Sequence, residues 1–129
     1  MKKIFIILII CLLLFGCKKE KFDYRNKFTG DYVFIEHGHF WALLFYDYDT
    51  TYTFNGKVSL GTKDNTIKLA GISEEPTIYE DGSLNLNLGY TDYYFRGEFE
   101  SSTNLKYSYG QHALGGGFEL EITGIKIKK

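Results

Sequence analysis

The sequence predicts an all-β chain: an antiparallel up-and-down meander of about eight short strands forming a small, partly closed barrel, with a β-sandwich as the alternative and a helical signal peptide in front. Three observations carry that expectation. From Asp31 onward apolar residues recur with period two, Tyr, Phe, Val, Ile and Thr are enriched, and no helical periodicity lasts beyond about two turns. Turn-forming clusters interrupt the runs at Gly61 to Asn65, Ser73 to Pro76, Asp81-Gly82, Ser101 to Asn104 and Gly115 to Gly117. Connections this short leave little chain for Greek-key crossovers, and closing the sheet removes exposed edges. With 129 residues and a single Pro, one domain is the expectation.

Met1 to Gly16 has the three parts of an export signal. Lys2 and Lys3 give the positive start, Ile4 to Phe15 is an uninterrupted apolar run, and Gly16 is the small residue before a cut. The 12-residue run spans about 18 Å as a helix, short of a hydrocarbon core of about 30 Å, so a spanning helix is not expected. Leu14-Phe15-Gly16-Cys17 resembles the lipobox of bacterial lipoproteins, which implies cleavage after Gly16 and lipid on Cys17. Acylation contributes roughly 0.8 kcal/mol per buried CH₂, so two or more chains anchor a protein without a spanning segment. Cys11 falls in the discarded part, leaving a mature chain with neither free thiol nor disulfide. The expected organisation is a signal peptide over 1–16, a lipidated cysteine and tether over 17–27, and a single β domain over 28–129.

The tether carries Lys18, Lys19, Lys21, Arg25 and Lys27 against Glu20 and Asp23, whereas from Phe28 onward 8 Lys and Arg face 14 Asp and Glu. A basic spacer therefore precedes an acidic domain, and anionic headgroups attract only the spacer. Formal net charge is −1 with 24% charged residues, which excludes a strongly basic nucleic-acid binder and a disordered acidic chain.

Within the β domain, Thr51 to Phe54, Asn55-Gly56 and Lys57 to Leu60 read as a two-residue hairpin, because Asn-Gly suits a type I′ turn with positive φ twice. Tyr52, Phe54, Val58 and Leu60 then share a buried face. The alternation resumes at Ile67 and Leu69, at Ile78, at Leu84, Leu86 and Leu88, at Phe95 and Phe99, and at Leu105, Tyr107 and Tyr109. It ends with Phe118, Leu120 and Ile122.

Glu36-His37-Gly38-His39 is the one cluster with ligand chemistry. If it is extended, His37 and His39 point to one face and His112 completes a set of three imidazoles for zinc, with Glu36 as general base or fourth ligand. The competing expectation is a loop between two strands, since Gly38 interrupts the pattern. Phe40 to Tyr46 is apolar on both faces. With Tyr48, Tyr90, Tyr93 and Tyr94 it offers more aromatic surface than a small core hides, so Phe40, Trp41, Tyr46 and Tyr48 are the expected ligand-binding residues. Asp47-Tyr48-Asp49 lacks the glycine and distal glutamate of a calcium loop, and Leu114 to Gly117 lacks the Lys-Ser or Lys-Thr of a phosphate loop. No nucleophile elbow or Ser, His and acid set stands out, so no catalytic residue and no cofactor is expected.

Cys17 to Glu20, Tyr24 to Phe34, Phe95 to Glu100 and Leu114 to Gly117 together resemble small Bacteroidetes-type lipoproteins, a group that implies location and brings no assigned activity. Gly30-Asp31-Tyr32 is similar to the Gly-x-Trp that opens lipocalin and avidin-like barrels. The last arginine here is Arg96, and the chain is short for that fold, so this resemblance implies a smaller barrel with a shallow apolar mouth. The sequence thus points to a lipid-anchored, non-enzymatic protein of the bacterial cell envelope, in the outer membrane, binding a small apolar or aromatic ligand. The alternatives are a protein-interaction subunit or inhibitor in the envelope, and a zinc-site protein using His37, His39 and His112.

Overall fold

The computed structural model describes residues 22–44 and 46–128. The expected signal peptide over 1–16, Cys17 and the first part of the tether lie outside the described residues. Eight antiparallel strands follow a 3₁₀ turn at Tyr24–Lys27: β1 Gly30–Ala42, β2 Tyr46–Leu60, β3 Ile67–Lys68, β4 Thr77–Ile78, β5 Ser83–Asn85, β6 Tyr93–Phe99, β7 Asn104–Ala113 and β8 Gly116–Lys126. Their order is β3-β2-β1-β8-β7-β6-β5-β4, so every neighbour is a sequence neighbour except the pair that joins the first strand to the last. The meander is nearly closed. At the seam Thr66 bridges Thr77, Ile67 N donates to Pro76 O at 3.1 Å, and Ile78 N donates to Asn65 O at 2.8 Å.

Period two explains the core. Tyr32, Phe34 and Val58 are fully buried on β1 and β2, and they meet Leu105, Tyr107, Leu120 and Ile122 from β7 and β8. Phe28, Phe99, Leu84, Ile78, Ile67 and Leu69 complete this end of the barrel. The Phe28 and Phe99 rings lie 4.4 Å apart between centroids. The expected alternation along β6, β7 and β8 is observed, whereas Leu86 and Leu88 follow β5 in a segment outside any strand.

Two local expectations are corrected. Asn55-Gly56 is not a turn: β2 runs straight through it, with Asn55 opposite Val33 and Gly56 opposite Tyr32. Gly56 is needed for close approach, since a β-carbon there would collide with Ala70 and come within 2.9 Å of the Phe34 ring. Tyr52, Phe54, Val58 and Leu60 keep a common face along this one strand, yet only Val58 is buried, and Tyr52 and Leu60 are exposed. Likewise Gly38 does not break β1. It pairs with Thr50 on one side and Leu120 on the other, and a β-carbon there would sit 2.8 Å from the Phe40 ring.

The packed part begins ahead of residue 28. Asp23 caps the 3₁₀ turn, and the buried Arg25 donates from its guanidinium to Lys63 O and Thr66 O, each at 2.8 Å, and to the Asp23 carboxylate. Beside the seam, Glu75 accepts from Thr62 N at 2.7 Å, Thr62 Oγ1 at 2.9 Å and Thr66 Oγ1 at 3.0 Å. The Thr62 amide leads these contacts in holding its carboxyl down at about 2. Both devices hold the Lys63–Thr66 loop, which carries the closing strand.

Candidate functional site

The barrel has a closed end and an open one. The closed end gathers the 3₁₀ turn, the seam and the C-terminal residues, with Ile127 N donating to Asp31 O at 2.8 Å. Toward the other end β2 loses its outer partner, because β3 pairs only with Ser59 and Leu60. On the far side β5 pairs only with Gly97 and Glu98 of β6. The remaining lengths of β2, β1, β8, β7 and β6 form a curved five-stranded sheet whose concave face continues the barrel interior.

Burial on that face falls steadily toward the mouth. Along β1 it runs from Tyr32 and Phe34 at 0% exposure through Glu36 at 7% to a half-buried Phe40. Along β2 it runs from Val58 at 0% through a half-buried Phe54 to Tyr52 at 51% and Tyr48 at 50%. The rings form chains: Phe34 stacks on Phe54 at 5.2 Å, Phe40 on Tyr48 at 5.0 Å, and Phe118 lies 6.2 Å from Phe40 and 6.1 Å from Tyr109. The segment after β3 forms a floor. Tyr107 donates its hydroxyl to Ala70 O at 2.6 Å, and Gly71 approaches both Phe54 and Tyr107. Leu43, Leu44, Tyr46 and Leu114 project from the hairpin tips as an exposed apolar rim.

The structure divides the four residues expected to bind ligand. Phe40, Tyr46 and Tyr48 lie on the concave side, where Tyr46 is 68% exposed at the lip. Trp41 has the opposite parity and lies on the outer surface, stacked on His39 at 5.2 Å, edge-on to His112 at 5.1 Å and laid across Gly117, whose added β-carbon would come within 2.6 Å of the indole. Tyr94 extends this outer row, 5.3 Å from His112 and folded over Gly110. Its hydroxyl is buried without a hydrogen bond of good geometry, and burial, with the nearby Glu119 carboxylate behind it, raises its pKa.

The histidines share the outer surface but do not converge. His37 and His39 do point to one face, as the extended reading expects. His37 Nδ1 contacts Thr51 Oγ1 at 2.8 Å, and His39 Nδ1 contacts Asp49 Oδ1 at 2.7 Å, with Asp47 3.6 Å from Nε2. The hydrogen bond to Asp49 raises the His39 pKa, assisted by the charges of Asp49, Asp47 and Glu119. His112 packs instead against Trp41 and Tyr94. Among the described residues no group of three His, Cys, Asp or Glu has a geometry that could hold a metal ion.

The residue that sequence reasoning misplaced is Glu36. Considered only as a partner for zinc, it shares the parity of Tyr32 and Phe34 and points into the barrel, away from the imidazoles. Tyr52 lies directly opposite it on β2, and the Glu36 carboxylate raises the Tyr52 pKa. Burial raises the pKa values of Tyr107 and Tyr109, with the charge of Glu36 adding to both. Alternation from Tyr32 already carries this signal once β1 is allowed to pass through Gly38.

No protein-family model matches the chain, and no curated protein or solved structure matches it. Function therefore rests on the site itself.

Proposed function

We propose that this chain is a non-enzymatic, lipid-anchored protein of the bacterial cell envelope, in the outer membrane, that holds a small apolar or aromatic ligand in the open end of its barrel. The observation that carries the reading is the graded exposure of the concave face: Phe40, Tyr48, Tyr52, Phe54, Tyr109 and Phe118 present half-covered rings above a packed floor. Pre-formed apolar concavities with a few polar groups are the usual geometry of small-molecule sites. The anchor rests on Lys2, Lys3, the apolar run and Leu14 to Cys17. Asp23, where the packed part begins, sits at the closed end of the barrel, opposite the mouth.

Native mass spectrometry of the protein released gently from membranes tests the ligand. The expectation is an added organic mass, lost on denaturation, that is absent from a Phe40→Ala, Tyr48→Ala variant and retained by Trp41→Ala. A clean mass for the unaltered protein overturns the reading.

A second reading, an interaction subunit or inhibitor, is favoured by one feature. Asp47 and Asp49 on β2 and Glu119 and Glu121 on β8 share the outer face on either side of β1, and an acidic surface of this kind suits a basic partner. That capture would weaken steeply with salt.

A further inference from the structure

Glu36 is unusual for where it lies. On the inward faces of the described strands it is the only acidic side chain, and it is 93% buried by its 7% exposure. No Lys or Arg among the described residues pairs with it: Arg25 is bound to Asp23, Lys68 to Glu75, and Lys106 to Glu100. Tyr52 stands directly opposite it on β2, and the charge of Glu36 also bears on the phenols of Tyr107 and Tyr109. Tyr107 spends its hydroxyl proton on Ala70 O at 2.6 Å. A carboxylate taken out of water is costly unless a donor or a cation compensates it, and a single phenol compensates it only in part.

Glu36 stands where the packed floor ends and the open aromatic face begins, so one side of its surroundings is the region a ligand would fill. Aromatic faces attract cations through their quadrupoles, by roughly 0.5–1 kcal/mol when exposed and about 2 kcal/mol when desolvated. Here rings and carboxylate bear on the same place. A neutral or anionic ligand seated there would strip remaining water from the carboxylate and offer nothing in return, whereas an ammonium group would satisfy it.

We infer that the ligand of this barrel is an organic cation, an amine or quaternary ammonium on an apolar or aromatic body, with its positive group at Glu36 and its body against Phe40, Tyr52, Tyr109 and Phe118. This rests on the small-molecule reading above and adds the class of ligand.

Three probes of one shape separate the two claims: 1-naphthylmethylammonium, 1-naphthalenemethanol and 1-naphthoate. Each is titrated calorimetrically into the full-length protein in phosphatidylcholine nanodiscs, with empty discs subtracted. The ammonium should bind at least about tenfold tighter than the alcohol, and the carboxylate weakest. Glu36→Gln should bring ammonium and alcohol to equal affinity, while Glu36→Asp keeps part of the preference. Equal affinity of all three for the unaltered protein overturns the cation inference and leaves the small-molecule reading standing. Failure of all three to bind overturns both, and the comparison on the unaltered protein stands even if a variant fails to fold.

Discussion

Replacing Arg25 by Met tests whether the closing loop is held from the N-terminal side. Met keeps much of the apolar stem and removes the guanidinium, which is 8% exposed and donates to two backbone carbonyls at 2.8 Å. Hydrogen bonds to charged groups are worth about 1.5–3 kcal/mol each. Neither carbonyl is orphaned by the change: Lys63 O still accepts from Thr66 N at 3.2 Å, and Thr66 O from Gly61 N at 2.9 Å. Asp23, 26% exposed, can recover water when its partner goes. The loss should therefore sit at the lower end, about 3 kcal/mol for the two bonds, instead of the larger cost of an uncompensated buried charge. Urea unfolding followed by Trp41 fluorescence measures it from the opposite end of the barrel, so a matched drop shows that the loop and the mouth unfold together. A loss below about 1 kcal/mol would refute the reasoning, because it would place Arg25 among ordinary surface pairs.

Gly56→Ala should cost about 1–3 kcal/mol in thermal unfolding, since its β-carbon must displace Ala70 or the Phe34 ring; a neutral result would contradict the close approach of β2 to the floor. His39 should titrate above the ordinary histidine range by NMR and fall toward it in Asp49→Asn. Because the folded-state pKa is raised, its contribution to stability is complete below the unfolded value near 6.5 and disappears as pH rises through the folded value. Unchanged titration in Asp49→Asn would remove that contact from the account.

Strand parity was the most legible property of this sequence. Tyr32 and Phe34, then Phe118, Leu120 and Ile122, lie on the face that alternation assigns them. What local pattern could not supply was long-range register. Asn55-Gly56 has the chemistry of a turn, but 13 consecutive residues of β1 pair with β2 across it, and that ladder outweighs a two-residue preference. Gly38 is the same case. Arg25 lay in a stretch that composition reads as a solvated spacer, and nothing in its neighbours marks the carbonyls of Lys63 and Thr66 as its partners. At the site, Phe40 and Tyr48 were legible as surplus aromatics, whereas Trp41 needed the parity of β1 to be put on the other surface. Tyr52, Tyr107 and Tyr109 read as core and became a polar collar only once Glu36 stood among them.

The pairing of β1 with β8 has a consequence in time as well as in space. Tyr32 is bonded to a strand that ends at Lys126, so the two longest-separated parts of the described chain must meet before the main sheet exists. Contacts so distant in sequence carry a large closure cost before they return any stability, and folds built on them form slowly. During synthesis the first hairpin has only itself to pair with, and an isolated hairpin is marginal in water. The chain is thus kept from committing to its final form until β8 has been made and can pair with β1.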